Sequence, residues 1–394
     1  MNNVSVAGAR NSRCHFNCAG AALPQPAVLR AITEHFALEA ELGPMEAGVA
    51  ITQQLSLGRE NIARLIGAHA DEFAFASSGS MAHGLAFAAL PRLRAGERIL
   101  VGRQEWGGNL ASYQQAAQRA GASVEVIPCH DDGSVDTRAL AQMLDARVRL
   151  VSLTWLPANG GLINDAAAIG RITRAAGVPY FIDAGQALGQ LPVDVESLQC
   201  DVLKSAGRKH LRGPRGTAIL YVRKSFLAQT EPAFLSTLAA PEIDGNLERS
   251  LTLRGDARRF ECGELSAALS LGLCAAVQQT LQVDLGARFA SIQARAVELR
   301  AQLADISGVT LRDLGAARNR SGLVSFTLKN MDANSAKALL AEQNLTLAAN
   351  GVLYTPLDMR ARGLDSVLRA SLTECNTDEE IARLVAAVAG LCRG

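Results

Sequence analysis

Short apolar and β-branched runs alternate with helix-length stretches through the first two thirds of the chain, and this alternation restricts the fold more than any other feature. Runs at 72–76, 98–101, 123–128, 149–153, 179–183, 202–204 and 217–222 read as strands, with helical patterns at 81–90, 110–120 and 166–176 between them. That is the spacing of βαβ units, so a mostly parallel sheet is expected. A loop-rich section, 230–259, leads into helical patterns over 265–306. Strand candidates follow at 323–328, 345–348 and 367–372, and Thr377 with Glu380 opens a last helix as a capping box. The expectation is an α/β protein with a large domain over 15–260 and a smaller C-terminal α+β domain over 261–394, joined by the segment 1–14.

A chain of 394 residues is long enough for two or three cores, and 48% hydrophobic with 20% charged residues excludes a disordered chain. No apolar run approaches the ~18 residues of a membrane span, and the polar stretch 1–13 lacks a signal-peptide core, so a cytoplasmic protein without membrane contact is expected. A net charge of +1 argues against a dedicated nucleic-acid binder. The eight cysteines form no CxxC pair, which favours reduced, mostly packed thiols and no metal. Only five residues are lysine (204, 209, 224, 329 and 337), so the candidates for an amine nucleophile are few.

Asp183 ends a strongly apolar strand, where open α/β sheets bind ligands, and Lys209 follows 26 residues later in a loop between strands. An amine and a carboxylate at neighbouring strand ends suit pyridoxal phosphate, which needs a Schiff-base lysine and an acidic partner for its ring nitrogen. Taken singly, an aspartate ending a strand is more often a helix cap or an ion-pair partner. Ser77-Ser78-Gly79-Ser80 precedes a helix whose free amides suit a phosphate, or it is a plain serine cap. Trp106 offers a plane for a flat ring, or packing at the rim. Lys204 lies inside the strand pattern and is read as structural.

Taken in order, Ser-Gly-Ser, Glu105-Trp106-Gly107-Gly108-Asn109, Asp183-Ala184-Gly185-Gln186, Gly207-Arg208-Lys209, Gly213-Pro214-Arg215-Gly216, Arg259-Phe260-Glu261 and Arg369-Ala370-Ser371 resemble the class V aminotransferase and cysteine desulfurase group of fold-type I pyridoxal phosphate enzymes. Segments 17–24, 43–47, 157–162, 207–216 and 355–359 are most similar to the ergothioneine-pathway lyase branch. The resemblance implies pyridoxal 5′-phosphate as cofactor, a small amino-acid substrate and a homodimer. It implies Lys209 as Schiff-base lysine and base, Asp183 on the ring nitrogen and Gln186 on the ring oxygen. Gly79, Ser80 and Arg208 would hold the phosphate, with Trp106, Asn159 and Ser205 also against the cofactor. Asn17, Ala19 and Gly20 would border the substrate, and Arg369 would clamp its carboxylate, although a strand-end ion pair is its simpler reading. Arg258, Arg259 and Glu261 lie in the segment that would meet the neighbouring subunit's phosphate site.

Departures from the pattern direct the functional reading. Desulfurases usually carry a histidine where Trp106 stands, and an indole cannot shuttle protons as an imidazole can. They also carry a mobile acceptor cysteine, yet 341–374 contains none; Cys375 is expected to be packed, and Cys18 beside Asn17 to be a small buried residue. The expected activity is therefore elimination of a sulfur group from a cysteine-derived amino acid, with an aminotransferase or epimerase as the alternative. A nicotinamide dehydrogenase is disfavoured because no GxGxxG follows a first strand. A non-catalytic relative would be expected to have lost Lys209 or Asp183.

Overall fold

The computed structural model describes residues 13–241 and 251–393; residues 1–12 of the N-terminal segment, 242–250 of the loop-rich section and Gly394 lie outside the described residues. Seven strands form the main sheet in the spatial order Phe73–Ala76, Ala218–Val222, Val202–Ala206, Tyr180–Asp183, Val148–Thr154, Arg98–Val101 and Ser123–Val126. Only Ala218–Val222 runs against its neighbours, so the sheet is mostly parallel, as expected. Its central strands are buried on both faces because helices cover both, which is why they read as continuous apolar runs rather than alternating ones.

Two of the crossover helices begin where a side chain satisfies free amides. The Ser78 hydroxyl accepts from the Met81 amide, and the Asp165 carboxylate from that of Ala168. The helix Gly107–Ala120 starts earlier than its apolar period suggests. Gly107 and Gly108 look like breakers in sequence, but a Cβ on Gly107 would overlap the carbonyl oxygen of Leu353, so glycine there permits a close approach.

The smaller sheet is antiparallel, in the order Ala348–Gly351, Ser366–Ser371, Leu323–Leu328, Val309–Leu311, and packs against the helices Leu285–Ala304 and Ala333–Glu342. The single strand expected at 345–348 is two: Leu345–Thr346 pairs with Cys14–His15, whereas Ala348–Gly351 pairs with Ser366–Ser371. Leu347 marks the break, because the chain changes sheets there. A bridge from Asn17 to Ser371 then carries the N-terminal residues to the end of the small sheet that faces the large one. The capping box holds: Thr377 and Glu380 exchange side chain to backbone hydrogen bonds at 3.3 Å. The helices Pro26–Leu42 and Thr52–Ile66, which the strand pattern did not foresee, pack on Ala267–Leu281. Among the described residues no helix is long and apolar enough to cross a membrane.

Candidate active site

The carboxyl ends of the central strands open into a cavity of about 380 Å³ whose wall includes Asp183, Lys204, Lys209, Trp106 and Arg369. A larger groove, about 810 Å³, runs past Phe87, Leu93 and Arg119, and its wall carries no carboxylate, thiol or amine. The chemistry therefore belongs to the smaller cavity.

Asp183 and Lys204 are register partners on adjacent parallel strands, so their side chains leave the sheet on the same face. The Lys204 ammonium donates to Asp183 Oδ2 at 2.5 Å, and both groups are buried. Lys204, read from sequence as structural, thus stands on the wall of the cavity. Ser205, one position on, points to the opposite face and donates to the Ala184 carbonyl at 3.3 Å. It does not reach the cavity, because a strand alternates with period two.

Asp183 is further fixed by the Gly185 amide on Oδ1 at 2.9 Å and by Asn109 Nδ2 on Oδ2 at 3.2 Å. Burial works to raise its pKa, yet the ammonium groups of Lys204 and Lys209 hold the carboxyl below its usual range. Asn109 also donates to Glu105 Oε1 at 2.8 Å, where the hydroxyl of Thr154 converges at 2.8 Å, while that of Ser152 reaches Oε2 at 2.9 Å. Glu105 is fully enclosed, and burial pushes its pKa up against those hydrogen bonds. Sequence reasoning singled out only Trp106 in this motif. The spacing of Glu105 and Asn109, four apart at a helix start, was the signal that would have paired them.

Lys209 Nζ lies over the Trp106 indole, 5.8 Å from the ring centroid. Burial lowers its pKa to about 7; Asp183 opposes this, and the positive charges of Lys204, Arg208 and Arg369 reinforce it. An amine of this kind is half unprotonated near neutrality, whereas an ordinary lysine reaches that point only near pH ~10.4. The rate at which the apoprotein takes up pyridoxal phosphate, followed by visible absorbance, should therefore rise from pH 6 to 8 and then level. A rate still climbing at pH 10 would contradict it.

Gly79 and Ser80 open the helix Gly79–Ala88, and across the cavity from them stand Arg208 and Arg215. Burial lowers the Arg208 pKa and the like charge of Arg215 lowers it further. Two guanidinium groups close enough to repel, on one cavity with a helix N-terminus, would suit a phosphate, since a bound anion relieves their repulsion. Gln186 donates to the Ala19 carbonyl at 3.0 Å and leaves Oε1 buried without a partner. A Cβ on Gly185 would come within 3.2 Å of Lys209 Nζ, so glycine keeps the space beside that amine clear. The residues present thus fit a flat ring bearing a phosphate at one end and a ring nitrogen at the other.

Arg369 is buried; Nη1 donates to the Ala158 carbonyl at 2.8 Å and Nη2 to Asn17 Oδ1 at 3.2 Å, while Nε has no partner. Among the described residues it forms no ion pair, so the strand-end ion-pair reading does not hold, and its guanidinium lies on the cavity wall. Asn17, Ala19 and Gly20 line the same wall. Asn159 does not: its amide donates to Thr355 Oγ1 at 3.0 Å and its carbonyl accepts from Asn350 at 2.8 Å, so Asn350 reaches the wall instead. Arg259 and Glu261 are spent within their own chain, Arg259 on the carbonyls of Leu227 and Thr230 and Glu261 on Arg59 and the Phe75 amide. Cys375 is exposed rather than packed, because the turn held by Thr373 and Asn376 turns it outward. Cys18 is buried, which pushes its thiol up to about 12.

Residues 14–384 match the family described as Aminotransferase class-V. The chain is 31% identical to a probable cysteine desulfurase of Xylella fastidiosa (strain 9a5c) over 86% of its own length and 81% of the relative's. Among solved structures, it is similar to apo cysteine desulfurase from Thermococcus onnurineus NA1, with a TM-score of 0.89 and 22% identity over 98% of this chain and 96% of that one. It is also similar to the cystine C-S lyase C-DES in complex with its reaction product cysteine persulfide, with a TM-score of 0.83 and 24% identity over 96% and 97% of the two chains. These two likenesses show the fold-type I architecture.

Proposed function

The chain belongs to the aminotransferase class-V family, whose enzymes work with pyridoxal 5′-phosphate, and from that premise we propose that it is a carbon–sulfur lyase acting on a cysteine-derived amino acid by β-elimination. The observation that carries this reading is an amine base and a carboxylate clamp converging on a cavity whose described wall contains no thiol.

When bound, the cofactor supplies an electron sink for charge developing at the substrate's α carbon. Lys209 takes the α proton, a task suited to an amine titrating at about 7. Arg369, braced by Ala158 and Asn17, holds the α-carboxylate and so presents the Cα–H bond to Lys209. Asp183 holds the ring-nitrogen end, and Trp106 covers one side of Lys209 and excludes water there. The Cβ–S bond then breaks, and its electron pair leaves with sulfur, which takes a proton from Lys209 or solvent. The three-carbon remainder hydrolyses to pyruvate and ammonia. A desulfurase instead needs a thiol to take the sulfur; Cys18 is sealed and titrates at about 12, and 341–374 has no cysteine.

Within this class, the substrate reading is the ergothioneine-pathway type, a sulfoxide conjugate such as hercynylcysteine sulfoxide. The segments resembling that branch supply Asn17, Ala158, Arg208 and Lys209 to one wall, and Thr355 ties Asn159 behind it.

The test offers cysteine conjugates to the purified holoenzyme without a keto acid and measures pyruvate, ammonia and protein-bound persulfide. Release of pyruvate with no persulfide, and turnover within about twofold of wild type in Cys18→Ser and Cys375→Ser, is the expected result, since exposed or inert sites change little. A requirement for a keto acid would make the enzyme an aminotransferase. A persulfide, together with loss of turnover in either variant, would return it to the desulfurases.

A further inference from the structure

Three lysines line this site, Lys204, Lys209 and Lys337, and the reaction above uses one. Lys204 is placed by its register with Asp183, and its ammonium is as deeply buried as the carboxylate it meets. The surroundings make that contact hard to replace. His83, from the helix Gly79–Ala88, is buried with Nε2 unpartnered, and burial together with the Lys204 charge lowers its pKa to about 3, so it stands neutral beside the pair. Glu105 lies behind Asn109, and Lys209 and Arg208 approach from the loop after the strand. Asp183 is thus the acidic group nearest two ammonium groups, and one of them already occupies Oδ2 at 2.5 Å. A carboxylate shared with a buried cation presents less negative charge to anything else it holds.

We propose that Lys204 is a second positioning lysine of the cofactor site: held on Asp183, it fixes the carboxylate as an anion and takes up part of its charge, so that the cofactor's ring nitrogen loses its proton more readily than an unshared aspartate would allow. This rests on the reading of Asp183 as the partner of that nitrogen. A less protonated ring is a weaker electron sink. It suits a reaction in which a β leaving group departs as charge builds at the α carbon, rather than transamination, in which that charge must persist until a proton returns elsewhere.

The experiment loads the full chain with pyridoxal phosphate labelled with 15N in the ring and follows the ring-nitrogen shift by solid-state NMR from pH 5 to 10. Lys204→Met should raise the ring-nitrogen pKa by at least about one unit over wild type, the size expected for removing an adjacent charge. Lys204→Gln, which keeps a donor to Asp183 but no charge, should do the same, and Lys204→Arg should restore the wild-type titration. A merely structural lysine would alter folding or loading without this charge-specific pattern. If Lys204→Met fails to fold, the Gln and Arg variants carry the comparison. Asp183→Asn is the control and should lower the ring-nitrogen pKa. If that control changes the titration while the Lys204 variants match wild type, the proposal is overturned and the assignment of Asp183 stands. If Asp183→Asn also matches wild type, the assignment of Asp183 falls and the proposal falls with it.

Discussion

Lys209→Ala should abolish the visible absorbance of the bound cofactor and lower turnover by at least about 10³-fold, because it removes both the covalent anchor and the base that takes the α proton. Lys204, the lysine paired with Asp183, cannot substitute. Lys204 is held against Asp183, on the far side of that carboxylate from the Gly185 amide, whereas Lys209 stands over Trp106 with space kept clear by Gly185. Borohydride reduction of the wild-type holoenzyme followed by peptide mass mapping should place the pyridoxyl group on Lys209. Recovery of the label on Lys204 would overturn the arrangement of the site.

Asp183→Ala should destabilise the protein by about 3–5 kcal/mol, the usual cost of breaking a buried ion pair from one side, as well as impairing turnover. The reason is local. The variant leaves the Lys204 ammonium buried beside Lys209 with no carboxylate in reach, and Asn109 keeps only its bond to Glu105. Combining Asp183→Ala with Lys204→Met should return most of that stability and none of the activity, since the stranded charge goes but the partner of the ring nitrogen does not. Urea denaturation of the four apoproteins measures the cycle. If the single variant is as stable as wild type, the pair contributes nothing to folding and its geometry has been misjudged.

The site was legible in the sequence wherever a residue's role follows from its place at the end of an apolar run. Asp183 ends a strand, Trp106 and the 77–80 turn follow strands, and a parallel sheet gathers such ends on one edge. Lys209 was legible because so few lysines compete with it. Less legible were residues whose role depends on which way a side chain leaves the backbone. Ser205 was expected at the cofactor and Lys204 away from it, whereas Lys204 faces the cavity and Ser205 the opposite side, because residue 204 is the register partner of Asp183. Asn159 was expected against the cofactor, but Thr355 and Asn350 occupy its amide.

By itself the sequence determined the βαβ order, the mostly parallel sheet, the capped last helix and the chemical type of the site, because these depend on local periodicity and on neighbours along the chain. Tertiary structure alone decided the rest: the split at Leu347, the placement of Asn17 beside Arg369 through the bridge to Ser371 and the pairing of Lys204 with Asp183. Each of these depends on strand register or on contacts between segments far apart in sequence. A shift of one residue in register turns a buried cation from the site to the opposite face of the sheet, and no property of the residue itself records which face it takes.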